Sequence, residues 1–238
     1  MFDPTVREGV LRVRQPGARW LSTGWNGGYE TADAAFNVSV PEGWERTDLD
    51  EYTKARRKRA EFHETGPTLL TGVDMAHLRG ARLDGVVAYA TAGVSNPATL
   101  PMDPSGAPSA PTAEPESGTV NVVLCTDWAL ADDALATLLA VVVEAKTATL
   151  LSETGFTGTT TDAVVVGSDP AGEEATFAGS ATAVGRAARA CVREAVQAAL
   201  TARYADDPEK PMPESVDDAK YGVVTADRAT TFDPQNDD

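Results

Sequence analysis

The chain has 238 residues, 42% of them hydrophobic, which is enough apolar surface to build a core in one large domain or two small ones without covalent staples. Its 36 acidic residues against 20 basic ones leave a formal net charge of -16, scattered along the whole length, and this argues against a nucleic-acid partner. Lysine is scarce beside arginine, isoleucine is absent, and Ala, Asp, Thr and Gly are abundant, a balance that suits a protein kept soluble by surface carboxylates in the high salt of a halophilic host.

The opening MFDPTVREGV has no basic region followed by an apolar run, and no later stretch is expected to reach the length of a bilayer span, so a cytoplasmic protein without a membrane partner is expected. From about Gly9 to Val40, partly alternating apolar positions (Val10, Leu11, Val13, then Trp20 and Leu21, then Phe36, Val38, Val40) predict short strands. Pro16-Gly17 and Asn26-Gly27-Gly28 are the turns that separate them. The pattern becomes helical from Asp48 to His63, where Lys54, Arg56, Arg57, Lys58 and Arg59 crowd together; a solvated helix face and an anion-binding face both fit. A strand follows at Val86 to Thr91. The stretch Pro97–Gly118, packed with Pro, Ser, Ala and Gly and without periodicity, predicts a surface loop, either an insertion or a lid.

Thr119 to Thr126 reads as a buried strand, Asp132 as an N-cap, and Leu135, Leu138, Leu139, Val142 and Val143 as the apolar positions of a helix. The turn Gly155-Phe156-Thr157-Gly158 leads into a second apolar strand, Asp162 to Gly167. A long helix from about Ser180 to Tyr204 carries one apolar stripe through Val184, Ala188, Cys191, Val192, Ala195, Val196 and Leu200. The whole predicts a mixed α/β (α+β) fold: one layered domain over residues 1–205, with mixed sheet packed against two long helices. An acidic, irregular tail over 206–238 follows, with edge-strand character only at Tyr221 to Thr225. Cys125 and Cys191 sit in apolar stretches and read as reduced core residues.

Metal and nucleotide chemistry find no pattern to stand on. The two histidines, His63 and His77, are not paired at helical spacing, and no strand is followed by the glycine spacing of a Rossmann or P-loop site, so no metal and no cofactor is expected. Small polar groups concentrate instead in three turns. Ser22-Thr23-Gly24-Trp25-Asn26-Gly27-Gly28 is either a ligand-reading turn or a tight hairpin with a core Trp. Thr91-Ala92-Gly93-Val94-Ser95-Asn96-Pro97 ends a strand and is also compatible with an ordinary Asn-Pro turn. Gly158-Thr159-Thr160-Thr161-Asp162 follows a helix that carries Glu144 and Lys146; its hydroxyls and carboxylate suit acyl-transfer chemistry, or simply the start of a strand.

Taken together and in this order, Leu21-Ser22-Thr23-Gly24 with Asn26-Gly27-Gly28, Phe36-Asn37-Val38-Ser39-Val40-Pro41, Thr91 to Asn96, Gly118-Thr119-Val120-Asn121, Glu144 to Ala148, Gly158 to Asp162 and the helix after Gly179 resemble the CbiZ family of adenosylcobinamide amidohydrolases, from Val10 to Leu200. The resemblance implies hydrolysis of the amide joining a corrin propionate side chain to aminopropanol, giving adenosylcobyric acid in cobinamide salvage. The partner is then a small corrinoid that brings its own cobalt. It also implies roles: a Thr159, Thr160 or Thr161 hydroxyl as nucleophile or oxyanion donor, Asp162 or Glu144 as base, and Lys146 as acid or charge stabiliser. Asn26, Asn37 and Asn96 become readers of the corrin's carboxamides, Trp25 an apolar surface, and Ser22, Gly27, Gly28 and Ser95 part of the binding turns. Glu144 and Lys146, two apart on a helix, do not share a face. Where that family tends to carry a histidine this chain reads Gly179-Ser180-Ala181-Thr182. The rival reading is a corrinoid carrier that binds without cutting. Thr119 to Gly167 also resembles the strand, helix and strand of DmpA-type aminopeptidases, which implies αββα layering and a hydroxyl nucleophile.

Overall fold

The computed structural model describes residues 1–41, 44, 47–104, 118–205, 211–219 and 221–235. Its elements, in chain order, are β1 (Asp3–Arg7), β2 (Val10–Ser22), β3 (Gly28–Ser39), α1 (Leu49–Arg59), β4 (Thr68–Thr71), β5 (Arg79–Leu83), β6 (Val86–Ala92), β7 (Pro97–Thr99), β8 (Val120–Thr126), β9 (Ala129–Leu130), α2 (Asp132–Thr154), β10 (Gly158–Thr159), β11 (Ala163–Ser168), β12 (Glu174–Ala175), α3 (Ala183–Tyr204) and β13 (Val223–Val224). An eight-stranded mixed sheet runs β4–β3–β2–β11–β8–β6–β5, with β1 added to β2. A separate three-stranded sheet runs β10–β7–β13.

Side-chain alternation sets the layers. In β8, Val120, Val122 and Leu124 join the core under α2 and α3, whereas Val123 and Cys125 face the other way. In β11, Val164 and Val166 take the helix side and Val165 the opposite one. That opposite side is covered by Leu11, Val13, Trp20, Ala35 and Leu69 from β2, β3 and β4. Ala34, Phe36 and Val38 of β3 point away from it and pack under α1 with Tyr52, Ala60 and Phe62. The sheet is therefore folded over on itself, and the layers run α2 with α3, sheet, sheet, α1, which is the expected αββα order.

Several expectations shift in detail. The region 9–40 forms two long strands of 13 and 12 residues, because Pro16-Gly17 makes a bulge rather than a break. Gly17 takes φ 68°, its N–H reaches Asp33 Oδ1 at 2.9 Å, and pairing resumes at Ala18. The basic cluster on α1 is not one uniform face: Arg56 donates to the carbonyls of Ser39 and Glu8, and Arg57 donates to Thr68 Oγ1 and lies over the Phe36 ring at 5.2 Å. These two arginines fasten α1 to the sheet. Asp132 is the first residue of α2 instead of its cap, and it pairs with Arg19. Contrary to expectation, α2 is long and apolar enough to cross a bilayer by length and composition, with 23 residues and a peak mean hydropathy of 1.7. Half of that stretch is buried inside the protein, because the sheet and α3 both cover it. Pro97–Thr99, expected as loop, is a strand; residues 105–117 of that expected loop lie outside the described residues. Both cysteines are free and buried; burial pushes the Cys125 thiol well up and that of Cys191 to about 11, which keeps both protonated at neutral pH.

Trp20 shows how closely the two sheet halves approach. Its ring packs against Gly167, where an added Cβ would come within 2.3 Å of the indole, while its Nε1 donates to the Ala32 carbonyl at 3.0 Å. Gly167→Ala must displace a fully buried indole and is expected to cost about 1–3 kcal/mol. A drop in urea midpoint with unchanged slope, measured in molar salt, checks this.

Candidate active site

Strand pairing gathers the polar turns at one end of the sheet. Antiparallel β6 and β8 set Ala92 beside Val120, parallel β8 and β11 set Asn121 beside Ala163, and antiparallel β2 and β11 set Ser22 beside Val165. The segments after β6, before β8, before β11 and after β2 thus emerge together. Beyond Ser22 the chain stays in contact: the Thr23 N–H donates to the Val164 carbonyl at 2.9 Å, and the Val164 N–H donates to Thr23 Oγ1 at 2.9 Å.

Asp162 organises the loop that opens β11. Its Oδ1 accepts from the Val120 N–H at 2.9 Å and from the Thr159 hydroxyl at 2.5 Å; its Oδ2 accepts from the Thr159 N–H at 3.2 Å and from the Lys146 ammonium. Lys146 comes off the inner face of α2 with its side chain only 6% exposed, and Asp162 is 12% exposed. Each charge needs the other there, because an unpaired charge at this depth is far costlier than a pair. Residue 158 has to be glycine for the same reason, since a Cβ would sit 2.8 Å from Asp162 Oδ2.

Asn96 grips the same loop from the β6 side. Its Nδ2 donates to Thr160 Oγ1 at 2.6 Å and to Thr161 Oγ1 at 3.4 Å, and its carbonyl accepts from the Thr160 N–H at 3.2 Å. The three hydroxyls are therefore not equivalent. Thr159 gives its proton to Asp162, and Thr161 gives its own to the Gly118 carbonyl at 2.9 Å. Thr160 receives a hydrogen bond from Asn96, is partly exposed, and keeps its proton for another partner. A hydroxyl that accepts from one donor becomes a better donor itself.

Behind the loop, between the two sheet halves, lies a buried polar network. Asn121, fully buried, donates to the Leu70 carbonyl at 2.8 Å and to Asn37 Oδ1 at 3.1 Å, and its Oδ1 accepts from the Ala163 N–H at 3.2 Å. Asn37 donates to Thr91 Oγ1 at 3.0 Å, and Thr119 donates to Thr71 Oγ1 at 2.7 Å. Of these residues only Asn37 was a site candidate. The available signal was Asn121 itself, the one amide in the apolar run Val120 to Cys125.

The other expected site residues fall into two groups. Asn37 is buried and spends both ends of its amide on Thr91 and Asn121. Glu144 lies on the exposed face of α2 and pairs with Arg189 of α3, because two residues of helix turn it away from Lys146. Ser22 closes its own turn by accepting from the Gly24 N–H at 3.0 Å. Trp25 is not a core ring: it is 51% exposed and donates to Asp50 Oδ1 at 2.9 Å, and Asn26, at φ 50°, donates to the same oxygen at 3.3 Å. Gly27 and Gly28 complete that turn, the latter at φ 117°. Ser95 is exposed next to Asn96. A cavity of about 850 Å³ lies at the other end of β8, between Met1–Pro4 and the β5–β6 hairpin beside Asp127.

The layered α/β fold thus brings hydroxyls, an amide donor and a lysine–carboxylate pair to the start of one strand, groups from which a hydrolytic site can be built. The chain belongs to the CbiZ family of adenosylcobinamide amidohydrolases, whose family model matches residues 3–208. It is 52% identical over 238 residues to the adenosylcobinamide amidohydrolase of Halobacterium salinarum, covering 98% of this chain and 100% of that one. It is 28% identical over 193 residues to that of Methanosarcina mazei, covering 77% and 90%. Among solved structures it is similar to the PH0078 protein of Pyrococcus horikoshii OT3, with a TM-score of 0.43, 12% identity and coverage of 85% and 80%. It is also similar to a Burkholderia sp. beta-aminopeptidase, with a TM-score of 0.40, 14% identity and coverage of 83% and 80%.

Breaking the buried pair from either side strands the other charge, so Lys146→Met and Asp162→Asn are each expected to destabilise by about 3–5 kcal/mol. Glu144→Gln, on the exposed face, should stay within about 0.5 kcal/mol. Thermal or urea unfolding of the three variants in molar salt reads the difference.

Proposed function

We propose that this chain hydrolyses the amide between a corrin propionate side chain and aminopropanol in adenosylcobinamide, releasing adenosylcobyric acid, and that the Thr159–Asp162 loop is the reaction centre. The observation that carries the reading is the relay from Asn96 to Thr160, held within one loop of the Lys146–Asp162 pair, in a member of this family. Amide cleavage passes through a tetrahedral oxyanion and must hand a proton to the departing amine. Thr160, polarised by Asn96, donates to the oxyanion. Water adds to the carbonyl carbon and gives its proton through the Thr159 hydroxyl to Asp162; the C–N bond breaks, and Lys146 protonates the aminopropanol nitrogen. The proton on Asp162 then returns to Lys146 across their direct contact, and the site is reset.

Trp25, half exposed on the turn after β2, offers a flat apolar surface for the macrocycle, and Asn26, Ser95 and the backbone at Ser22, Gly27 and Gly28 offer polar groups for its amide arms. The protein supplies no cofactor in this reading, since the cobalt travels with the substrate. The acidic composition suits the salt-rich cytoplasm of a halophile.

The test is to incubate the protein with adenosylcobinamide in molar KCl and to follow aminopropanol by mass spectrometry. Repeated turnover is expected from the native chain. Thr160→Ala should lower kcat roughly 100-fold, the cost of one oxyanion donor, with an unchanged circular dichroism spectrum. Tight binding without cobyric acid would identify a carrier instead.

A further inference from the structure

The family match ends at residue 208, yet the chain beyond it returns to the candidate site. Val223 and Val224 pair in parallel with Ala98 and Thr99, the Thr225 N–H donates to the Thr99 carbonyl at 3.0 Å, and Thr99 Oγ1 donates to the Val223 carbonyl at 3.5 Å. Arg228 then pairs with Asp103 at 2.9 Å, and Met212 and Val216 pack on the main core. On its other edge β7 carries β10: Ala98 faces Gly158, Pro97 faces Thr159, and the Thr157 N–H and hydroxyl both donate to the Ala98 carbonyl, at 3.1 and 2.9 Å. The three residues of β7 are thus clasped between the C-terminal segment and the loop that holds Thr159 and Thr160, and Asn96 is the residue immediately before them.

Asn96 has firm support on its N-terminal side. The Gly93 N–H donates to the Thr119 carbonyl at 3.1 Å, and the Val94 N–H donates to the Tyr204 phenol at 2.9 Å, a phenol whose pKa burial pushes up. On its C-terminal side the support is β7. With β13 in place, β7 is the centre of a small sheet; with β13 gone, it becomes an edge strand held by a two-residue partner, far too little to fix a side chain to a few tenths of an ångström.

We propose that the C-terminal segment Tyr221–Thr225 is a positioning strap for the site: docked on Pro97–Thr99, it holds Asn96 against Thr160. This rests on the amidohydrolase reading for its effect on turnover, but not for its effect on the Asn96–Thr160 contact. The strap touches no substrate and works through β7.

Thr225→Pro in the full chain removes the N–H that reaches Thr99, whereas Thr225→Val keeps it. In molar KCl, Thr225→Pro should speed hydrogen exchange at the Thr160 amide, which donates to the Asn96 carbonyl. It should also lower kcat roughly 10- to 100-fold with KM within about twofold, as a misplaced catalytic group does. Thr225→Val should match the native chain in both. Unchanged Thr160 exchange in Thr225→Pro would overturn the strap, and so would faster exchange with full kcat. If Thr225→Pro fails to fold, the double variant Val223→Gly/Val224→Gly takes its place with the same readings, because it weakens the strand that docks on β7 and leaves every backbone N–H in place. If the native chain releases no aminopropanol, the amidohydrolase reading falls, and Thr160 exchange alone decides whether the strap holds the contact.

Discussion

A carboxylate at the start of a buried strand has to collect donors, and Asp162 does so from three separate stretches of chain. One hydrogen bond comes from the first residue of β8, two come from Thr159 within its own loop, and the ammonium comes from the middle of α2. Unmet, a charge at this depth would cost several kcal/mol; met, it fixes the loop, the helix register and the offset of β11 against β8 at once. Gly158 follows from the space the pair occupies, and Glu144 points outward because Lys146 points inward.

The polar network between the two sheet halves depends on the same corner. Apolar side chains slide past one another at little cost, but Asn121 reaches a backbone carbonyl on β4, an amide on β3 and a backbone N–H on β11 only in one alignment. A slip of one residue would leave several buried donors without acceptors, each at about 1–3 kcal/mol. Apolar packing around Trp20 and Leu69 therefore supplies cohesion, while the asparagine and threonine layer supplies register. Register decides where the turns emerge, and so whether Asn96 meets Thr160.

Most of the architecture could be read from the residues, and the reasons are local. The strand, helix and strand from Thr119 to Gly167 announce themselves through apolar runs and the glycines at 155 and 158, and the stripe from Val184 to Leu200 marks the last helix. The bulge at Pro16-Gly17 looked like a break because turn chemistry is the same for both; only the partner strand reveals that pairing resumes. Long-range facts were hidden for the same reason. Neither the inward turn of Asn37 nor the short strands β1, β4 and β5 carry a signal of their own, since each depends on what lies across from it. Among the candidate site residues, Thr159, Thr160, Asp162, Lys146 and Asn96 converge as a group, whereas Trp25 and Asn26 make their hydrogen bonds to Asp50 on α1.

The surface and the site follow opposite electrostatic rules. The chain carries a net charge of -16, yet the groups around Thr160 are hydroxyls, amides and one ion pair that cancels itself. In molar salt, fields between exposed charges die within about 3 Å, so a site that drew its substrate by long-range attraction would lose most of its reach. Short hydrogen bonds in a buried corner are not screened in that way. The corner around Thr160 offers neutral donors and acceptors, and the Lys146–Asp162 ammonium–carboxylate pair beside it is only 6% and 12% exposed, where screening by salt is weak. The two regions therefore answer to different terms: attraction and repulsion between exposed charges fade as salt rises, whereas the buried hydrogen bonds around Asp162 do not.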